Sequence, residues 1–318
     1  VTPAYGLSPA AAACCNQRRA AAGGSRRGLA EAGAARPFRD VVIDDYLRRR
    51  VEMGAAYGRF KSEPVIRLWA GYRMSDTLSL VTYNIHKGFS QFNRRLTVHD
   101  LRDRLRHLNP DLVFLQEVQG LHQQHALKHD NWPEQPQHEF LADTIWHASY
   151  GQNVLYAHGH HGNAILSKHP QQKGNNYDIS AYRFESRGLL HSITKLDGVD
   201  KPIHCFCVHL ALFERGRERQ LEAIIGHIQD LAGNGPTIVA GDFNDWRNRV
   251  SAPMKAAGFN EVFEVLTGSP AKTFPSVRPL LPMDRIYVRG LKIHSAQILH
   301  EWLKLSDHLG ITAELEIL

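Results

Sequence analysis

Short apolar runs that end abruptly on polar residues recur along the chain from residue 78 onward. The run "TIVA" leads through Gly241 to Asp242, "LSLVTYN" ends at Asn84, and the end of "DLVFLQEV" carries Glu117. Continuous apolar runs of this length are typical of strands that are buried on both faces. The pattern therefore predicts buried strands whose ends present polar side chains.

Helical patterns lie between these runs. The segment "TVHDLRDRLRHLNP" predicts a helix capped by Thr97 and Asp100 and closed by Pro110. Its predicted buried stripe consists of Leu101, Leu105 and Leu108. The segment "RGRERQLEAIIGHIQDL" predicts a second helix, and further strands are predicted at "NAILSK", "RGLLHSITKL", "IHCFCVHL", "MDRIYVRG", "KIHSAQIL" and "ITAELEIL". Interleaved helices and strands with several hairpin-length connections predict an α/β fold, with a core of two sheets and helices outside.

The first 73 residues differ in composition from the rest of the chain. They hold 13 of the 38 Lys and Arg residues but only 6 of the 32 Asp and Glu residues, and all 19 histidines follow them. A segment rich in Ala and Arg buries too little apolar surface to offset its ordering entropy, so residues 1–73 are expected to be a mostly disordered leader. It can be a transit-like peptide, a basic arm that touches nucleic acid or membrane, or non-native translation upstream of a true start at Met74. We favour the last, and a native peptide from residues 1–73 in mass spectrometry would overturn it.

The remaining part, residues 74–318, is predicted to be one catalytic domain. It carries 25 basic and 26 acidic side chains, so the formal charge of +6 resides in the leader. No apolar stretch of membrane-spanning length and no secretory signal is present, and a cytoplasmic monomer is expected. Cys205 and Cys207 share one face of a predicted strand, where small buried hydrophobes are favoured over metal ligands.

Polar side chains at the strand ends form the candidate site. Each of them alone is compatible with a turn or with a solvated strand end. If the strand ends converge on one rim, the carboxylates, amides and imidazoles form an oxygen-rich set suited to Mg²⁺ or Mn²⁺ rather than structural zinc. The set consists of Asn84, Glu117, His209, Asp242, Asn244, Asp284, Asp307 and His308.

The order and spacing of short motifs over residues 78–318 resemble the endonuclease/exonuclease/phosphatase superfamily, and in particular a group of poorly characterised bacterial members. The motifs are "TYNIHKG", "LQEV", "GNAILSK", "VHL", "GDFND", "MDRIYV" and "SDH". The resemblance implies a deoxyribonuclease I-like fold, a four-layer α/β sandwich of two packed mixed β-sheets flanked by helices. It also implies divalent-metal-dependent hydrolysis of phosphoester bonds.

Two groups of residues take their expected roles from this resemblance. Glu117 resembles the principal metal carboxylate, with Asn84 and Asp307 contributing to the metal site. Asn163 and Arg187 lie at predicted strand starts, where phosphate binding and a packing or surface role are both open.

The remaining residues resemble the catalytic groups of the family. Asp242 and Asn244 are expected to orient and activate the attacking water, and His308 to contact the scissile phosphate. Asp284 is expected to orient the imidazole of His308, and His209 to assist the leaving group. An Asp–His pair fixes the tautomer of the ring, and an imidazole near its ordinary pKa can give or accept a proton.

The substrate is the open question. A phosphodiesterase or endonuclease acting on nucleic acid is the first prediction, and it requires a local basic stripe such as "NRRLTVHDLRDRLRH" or "RFESRG". The alternative is a phosphodiesterase or phosphatase acting on a phospholipid or an inositol phosphate, which an apolar rim would favour. A protein that only binds a phosphorylated partner is the third and least favoured hypothesis. The histidine-rich stretch "HQQHALKHDNWPEQPQHEF" is predicted to be a long loop that distinguishes substrates.

Overall fold

The computed structural model of the protein describes residues 77–172, 174–196, 199 and 201–318. These residues form thirteen strands, numbered here in chain order: β1 Thr77–Asn84, β2 Leu112–His122, β3 His147–Tyr156, β4 Gly159–Ser167, β5 Gln171–Gln172, β6 Asn176–Asp178, β7 Gly188–Thr194, β8 Ile203–His209, β9 Thr237–Asp242, β10 Asn260–Glu261, β11 Asp284–Arg289, β12 Leu291–Ile298 and β13 Ile311–Ile317.

The strands form two mixed sheets. One has the order β12-β13-β1-β2-β4-β3, and the other has the order β10-β11-β9-β8-β7-β5, with β6 also paired to β7. The central pairs β1/β2 and β8/β9 are parallel, whereas their outer neighbours are antiparallel. In both parallel pairs, the carboxyl ends of the two strands therefore lie side by side.

Aliphatic side chains from the facing sides of the two sheets form one buried core. Leu80 and Phe114 of the first sheet belong to the same cluster as Cys205, Cys207 and Ile286 of the second sheet. Both cysteines are free, as predicted, and burial raises the pKa of each thiol to about 12. The core explains why these strands read as continuous apolar runs, because each of them is covered on both faces.

Helices cover the outer faces of the sheets, which confirms the four-layer sandwich. The helices are α1 Val98–Leu108, α2 Gln123–Lys128, α3 Gln137–Ala142, α4 Glu214–Ala232, α5 Ser251–Ala256 and α6 Val262–Thr267. Leu101 and Leu105 of α1 pack in a cluster on the first sheet, and Leu221 and Ile224 of α4 pack in a cluster on the second.

The predicted cap of α1 is wrong in its detail. Thr97 is the residue before the helix, but its hydroxyl makes no capping bond and donates instead to the carbonyl of Leu305 at 2.7 Å. Leu108 is partly exposed rather than part of the buried stripe. The helix ends before Pro110 as expected, with Asn109 in the left-handed conformation that terminates many helices.

The first sheet contains more structure than the sequence predicted. Strand β3 was not predicted, and the stretch that was expected to be a long loop contains α2 and α3. Strand β2 runs past Glu117 to His122 instead of ending near it. Its far end pairs with β4 and forms an extension of the sheet beyond the predicted strand end.

The predicted leader, residues 1–73, lies outside the described residues. Among the residues that the structure describes, no helix is long and apolar enough to cross a membrane.

Candidate active site

The carboxyl ends of the parallel strands bring the predicted polar residues together. Asn84 ends β1, His209 and Asp242 face each other at the ends of β8 and β9, and Asp284 begins β11 directly opposite Asp242. The amide of Asn84 donates to Asp242 Oδ2 at 3.0 Å and to Glu117 Oε1 at 3.4 Å. This amide joins the two sheets, so the strand ends converge on one rim.

Glu117 reaches this rim through a β-bulge. The register between β2 and β4 shifts between Leu115 and Val118, and Glu117 has a positive φ of 55°. A bulge re-aims one side chain without ending the strand. This geometry explains why the predicted strand end was wrong although the predicted site residue lies at the site.

A buried group of contacts joins Asp284, His308 and Asp242. The Nδ1 atom of His308 lies 2.9 Å from Asp284 Oδ2, and its Nε2 atom lies 3.7 Å from Asp242 Oδ2. Burial by itself lowers the pKa of His308, but Asp284, Asp242 and Asp307 outweigh this effect and raise the pKa to about 10. His308 is therefore an imidazolium at neutral pH.

His209 has the opposite character. Its Nε2 atom lies 3.5 Å from Asp242 Oδ2, the same oxygen that His308 Nε2 approaches. Burial lowers the pKa of His209 to about 3, and Arg187 acts in the same direction. One rim thus holds a neutral and a charged imidazole, an arrangement that suits general acid–base work.

Asn244 stabilises the turn that follows β9. Its backbone N–H donates to Asp242 Oδ1 at 2.9 Å, and its amide donates to the carbonyl of Leu210 at 2.9 Å. Asp245, which follows it, accepts from Val250 N at 2.7 Å and holds the next turn. Of the polar residues of "GDFND", Asp242 and Asn244 thus belong to the rim, whereas Asp245 has a structural role.

The two predicted substrate-binding residues differ in their surroundings. Asn163 is buried, and its amide donates to the carbonyls of Gly188 at 3.2 Å and Cys207 at 3.3 Å. Arg187 pairs with Glu185 at 2.8 Å and lies near enough to His209 to lower its pKa. The structure thus places Arg187 beside the rim, whereas Asn163 bridges the sheets beneath it; their roles in substrate binding stay predictions.

Comparison with known proteins identifies the family of the chain. The sequence profile of the endonuclease/exonuclease/phosphatase family matches residues 81–308. The chain belongs to this family. It is 44% identical over 245 residues to a protein of Escherichia coli K12 named "Uncharacterized protein YbhP", a match that covers 76% of this chain and 97% of that protein.

Solved structures of the endonuclease/exonuclease/phosphatase fold superpose on the chain. A family protein of Beutenbergia cavernae is 17% identical, with a TM-score of 0.61 over 76% of this chain and 72% of its own. The human Nocturnin catalytic domain is also 17% identical, with a TM-score of 0.60 over 76% and 94% of the two chains. At this identity the likeness supports the fold alone. The family consists generally of metal-dependent phosphoesterases and nucleases.

Two groups of side chains in the site offer ligands for the divalent cation that the family generally uses. Asp242, Asp284 and His308 have candidate ligand atoms within 4.8 Å of one another. The bond between Asp284 and His308 Nδ1 engages two of these three side chains with each other. Glu117 lies on the other side of Asn84 from this group, and with Asp307 it supplies further carboxylate oxygens.

Three residues that contact the candidate site were not singled out from the sequence. His86 and Lys87 directly follow β1, with the His86 Nδ1 atom 3.3 Å from Asp307 Oδ1 and the Lys87 Nζ atom 3.6 Å from Glu117 Oε2. The hydroxyl of Ser306 donates to the carbonyl of Asn84 at 2.7 Å. The motifs "NIHKG" and "LSDHLG" contain all three residues, so their nearness to Asn84 and Asp307 was the available signal.

Proposed function

We propose that the protein is a divalent-metal-dependent phosphodiester hydrolase. The observation that carries this proposal is the buried group in which His308 contacts Asp284 and Asp242. An imidazole that is charged at neutral pH beside two carboxylates is costly to bury, and it has an evident use where negative charge develops on a phosphoryl group.

The residues present fit a divalent cation. Glu117 and Asp307 offer carboxylate oxygens. Asn84 positions Glu117 through its amide nitrogen, and its amide oxygen accepts from the backbone N–H of His86. Such oxygen-rich sets bind Mg²⁺ or Mn²⁺. When it is bound, the cation supplies positive charge that stabilises the phosphoryl oxygens and the departing oxygen.

Different side chains of the protein accept and donate protons in the proposed reaction. Asp242 accepts hydrogen bonds from Asn84 and from the backbone of Asn244, which fix its carboxylate for accepting a proton from the attacking water. His308, held by Asp284, donates a hydrogen bond to a phosphoryl oxygen. His209 is neutral and orients the phosphate or the leaving group.

The surface around the site favours a substrate other than duplex nucleic acid. In the first candidate basic stripe, Arg95 pairs with Asp100 at 2.5 Å and Arg106 pairs with Asp103 at 3.5 Å. In the second stripe, Arg187 pairs with Glu185. Paired arginines contribute less to the attraction of a polyanion than unpaired ones do.

Exposed apolar side chains lie next to the rim instead. Tyr182 stacks on Phe184 at 5.1 Å between ring centroids, and Phe213 contacts Tyr182 edge-on at 6.3 Å. Phe184 is 76% exposed, and these aromatic side chains stand on the loops that carry Arg187 and His209. The sheet extension adds the exposed Leu121 and Leu155. An exposed apolar rim supports the phospholipid alternative over a polynucleotide.

A substrate panel with matched variants tests the proposal. The full-length protein is assayed with Mg²⁺ and with Mn²⁺ on phospholipid vesicles, supercoiled plasmid and a duplex that contains an abasic site. We expect head-group release that is lost in Glu117→Gln and in His308→Gln. Phe184→Ser should reduce turnover of vesicles but not turnover of bis(p-nitrophenyl) phosphate, because only the former contacts the rim.

The other outcomes separate the remaining hypotheses. Cleavage of DNA without lipid turnover, lost in the same two variants, would establish a nuclease. Binding without turnover of any substrate would establish the binding-only hypothesis and refute the enzymatic proposal.

A further inference from the structure

The backbone directly after β1 adopts an unusual conformation. His86 has φ 47°, Lys87 has φ 59° and Gly88 has φ 79°, so two consecutive non-glycine residues occupy the left-handed region. Positive φ is uncommon for residues other than glycine, and two such residues in succession persist only where the surroundings enforce the conformation. Here the backbone N–H of His86 donates to the Asn84 side chain at 3.1 Å, which ties the turn to the rim. The turn therefore fixes the direction of the His86 side chain.

The imidazole of His86 lies between the carboxylates of Asp307 and Glu117. His86 is 7% exposed, and its Nδ1 atom lies 3.3 Å from Asp307 Oδ1 and 3.9 Å from Glu117 Oε2. Among the described residues, Nδ1 makes no hydrogen bond of acceptable geometry, although the distance to Asp307 is short enough for one. The nitrogen is thus near both oxygens without being directed at either.

This arrangement is expected when the nitrogen and the two oxygens are all directed at one bound ion between them. Two adjacent ligands of an octahedral ion with bonds of about 2.1 Å are separated by about 3.0 Å, the bond length times the square root of two. The 3.3 Å between His86 Nδ1 and Asp307 Oδ1 is close to that separation. The 3.9 Å to Glu117 Oε2 also permits both atoms to bind one ion after a small side-chain rotation.

We propose that His86 Nδ1 is a ligand of the catalytic cation, together with Glu117 and Asp307. This inference rests on the proposed metal-dependent function and narrows the choice of metal. A nitrogen ligand favours transition-metal ions over Mg²⁺, which prefers oxygen ligands and retains its water. The protein therefore uses Mn²⁺, or a neighbouring transition-metal ion, in preference to Mg²⁺.

Pulsed electron paramagnetic resonance of bound Mn²⁺ tests this ligand without any assay of activity. The full-length protein loaded with one equivalent of Mn²⁺ should show the modulation of a directly coordinated ¹⁴N nucleus. Labelling the histidines with ¹⁵N should replace that modulation with the ¹⁵N pattern. His86→Asn should abolish it and weaken Mn²⁺ binding, measured by calorimetry, by at least about tenfold. Asn tolerates the left-handed conformation, so this variant retains the turn.

A carboxylate in place of the imidazole provides the converse test. His86→Asp should lose the nitrogen signal but retain cation binding, with the ratio of the Mg²⁺ to the Mn²⁺ dissociation constant lowered by at least about tenfold. His161→Asn is the matched control, because His161 is a partly buried histidine whose pKa Glu117 also raises, but it lies on β4 rather than on the turn after β1. It should leave the nitrogen modulation and the affinity for Mn²⁺ unchanged.

The outcomes distinguish failure of this inference from failure of the proposed function. Nitrogen modulation that survives in His86→Asn but disappears in His308→Gln would place the cation at Asp242, Asp284 and His308 and overturn the role of His86. Mn²⁺ binding that depends on Glu117 but lacks nitrogen modulation would overturn the inference and leave the metal-dependent function intact. Failure of both Mn²⁺ and Mg²⁺ to bind would overturn both proposals.

Discussion

Replacing Asp284 with Asn should remove the charge of the His308 imidazole at neutral pH without moving the ring. The two side chains are buried, and Nδ1 of the imidazole lies 2.9 Å from the carboxylate. An asparagine has nearly the same shape, so the ring should remain in place while the neighbouring negative charge disappears. The variant therefore tests electrostatics rather than packing.

The size of the effect follows from the pKa of His308. Against the opposing effect of burial, Asp284, Asp242 and Asp307 raise it from 6.5 to about 10, and Asp284 is the largest of the three contributions. A rise of that size corresponds to about 5 kcal/mol, because one pKa unit is worth about 1.4 kcal/mol. Without Asp284, burial should bring the pKa of His308 back to its ordinary range or below, so the imidazole loses its charge near neutral pH. Losing one charged donor to the developing phosphoryl charge is expected to lower the rate at neutral pH about 10²-fold.

The same pair predicts a pH dependence of stability. The pKa of His308 in the folded state lies above its unfolded value of 6.5, so the stabilisation is complete below that pH. It is lost as the pH rises towards about 10. Asp284→Asn should remove most of this slope between pH 7 and pH 10, because the pKa of His308 returns to or below its ordinary value.

Two measurements check this reasoning. Long-range ¹H–¹⁵N spectra of histidine-labelled protein should show His308 charged at pH 8 in the wild type and neutral in Asp284→Asn. Hydrolysis of bis(p-nitrophenyl) phosphate with Mn²⁺ gives the rate. Asp245→Asn is the control, because Asp245 is equally buried near the rim but accepts from Val250 N and has no part in the rim itself. A His308 that stays charged at pH 8 in Asp284→Asn would refute the electrostatic role of Asp284.

Three further predictions concern buried polar groups and thiols. Burial raises the pKa of Glu261 from 4.5 to about 7, so the unfolding free energy should fall by up to about 3 kcal/mol as the pH rises from 5 to 8. In Glu261→Gln, urea titrations should show no such fall; an unchanged slope would contradict the assignment. Asn163→Ala should lower the unfolding free energy by about 1–3 kcal/mol, because two buried carbonyls lose their donor; an unaltered melting temperature would argue against the bridge. Cys205 and Cys207 should resist alkylation at pH 8 until the protein unfolds, as peptide mapping would show, since burial raises both thiol pKa values to about 12; rapid labelling of the native protein would refute this.

The buried strands and the polar residues at their ends were predictable because each strand is marked by its own short apolar run. A strand covered on both faces must be apolar throughout, so its end is marked by the first polar residue. This rule located Asn84, His209 and Asp242, each of which lies at the end of a strand. The interleaved elements predicted a core of two sheets, and the motif likeness then added the four-layer deoxyribonuclease I-like arrangement.

Strand β3 escaped prediction because its signal is weak. Its sequence "HASYGQNVLY" alternates small, polar and apolar residues, and most of its side chains are at least partly exposed. It is an edge strand held chiefly by pairing with β4, a long-range contact that no local pattern encodes. The helices of the histidine-rich stretch were missed for a related reason, since α2 and α3 have six residues each and no long apolar stripe.

His86 shows a different limit of sequence reasoning. In the motif "NIHKG" the strand-end pattern marks Asn84, whereas His86 and Lys87 follow in a turn that this pattern does not mark. Only the backbone reveals that this turn is left-handed at both His86 and Lys87 and that it directs the imidazole towards Asp307 and Glu117. Conformational strain of this kind leaves no mark on composition or periodicity, because the residues that bear it are not the glycines that the conformation would favour. Strand-end patterns and left-handed turns therefore identify different candidate residues. In this protein both kinds of residue, Asn84 from the first and His86 from the second, lie at the same rim.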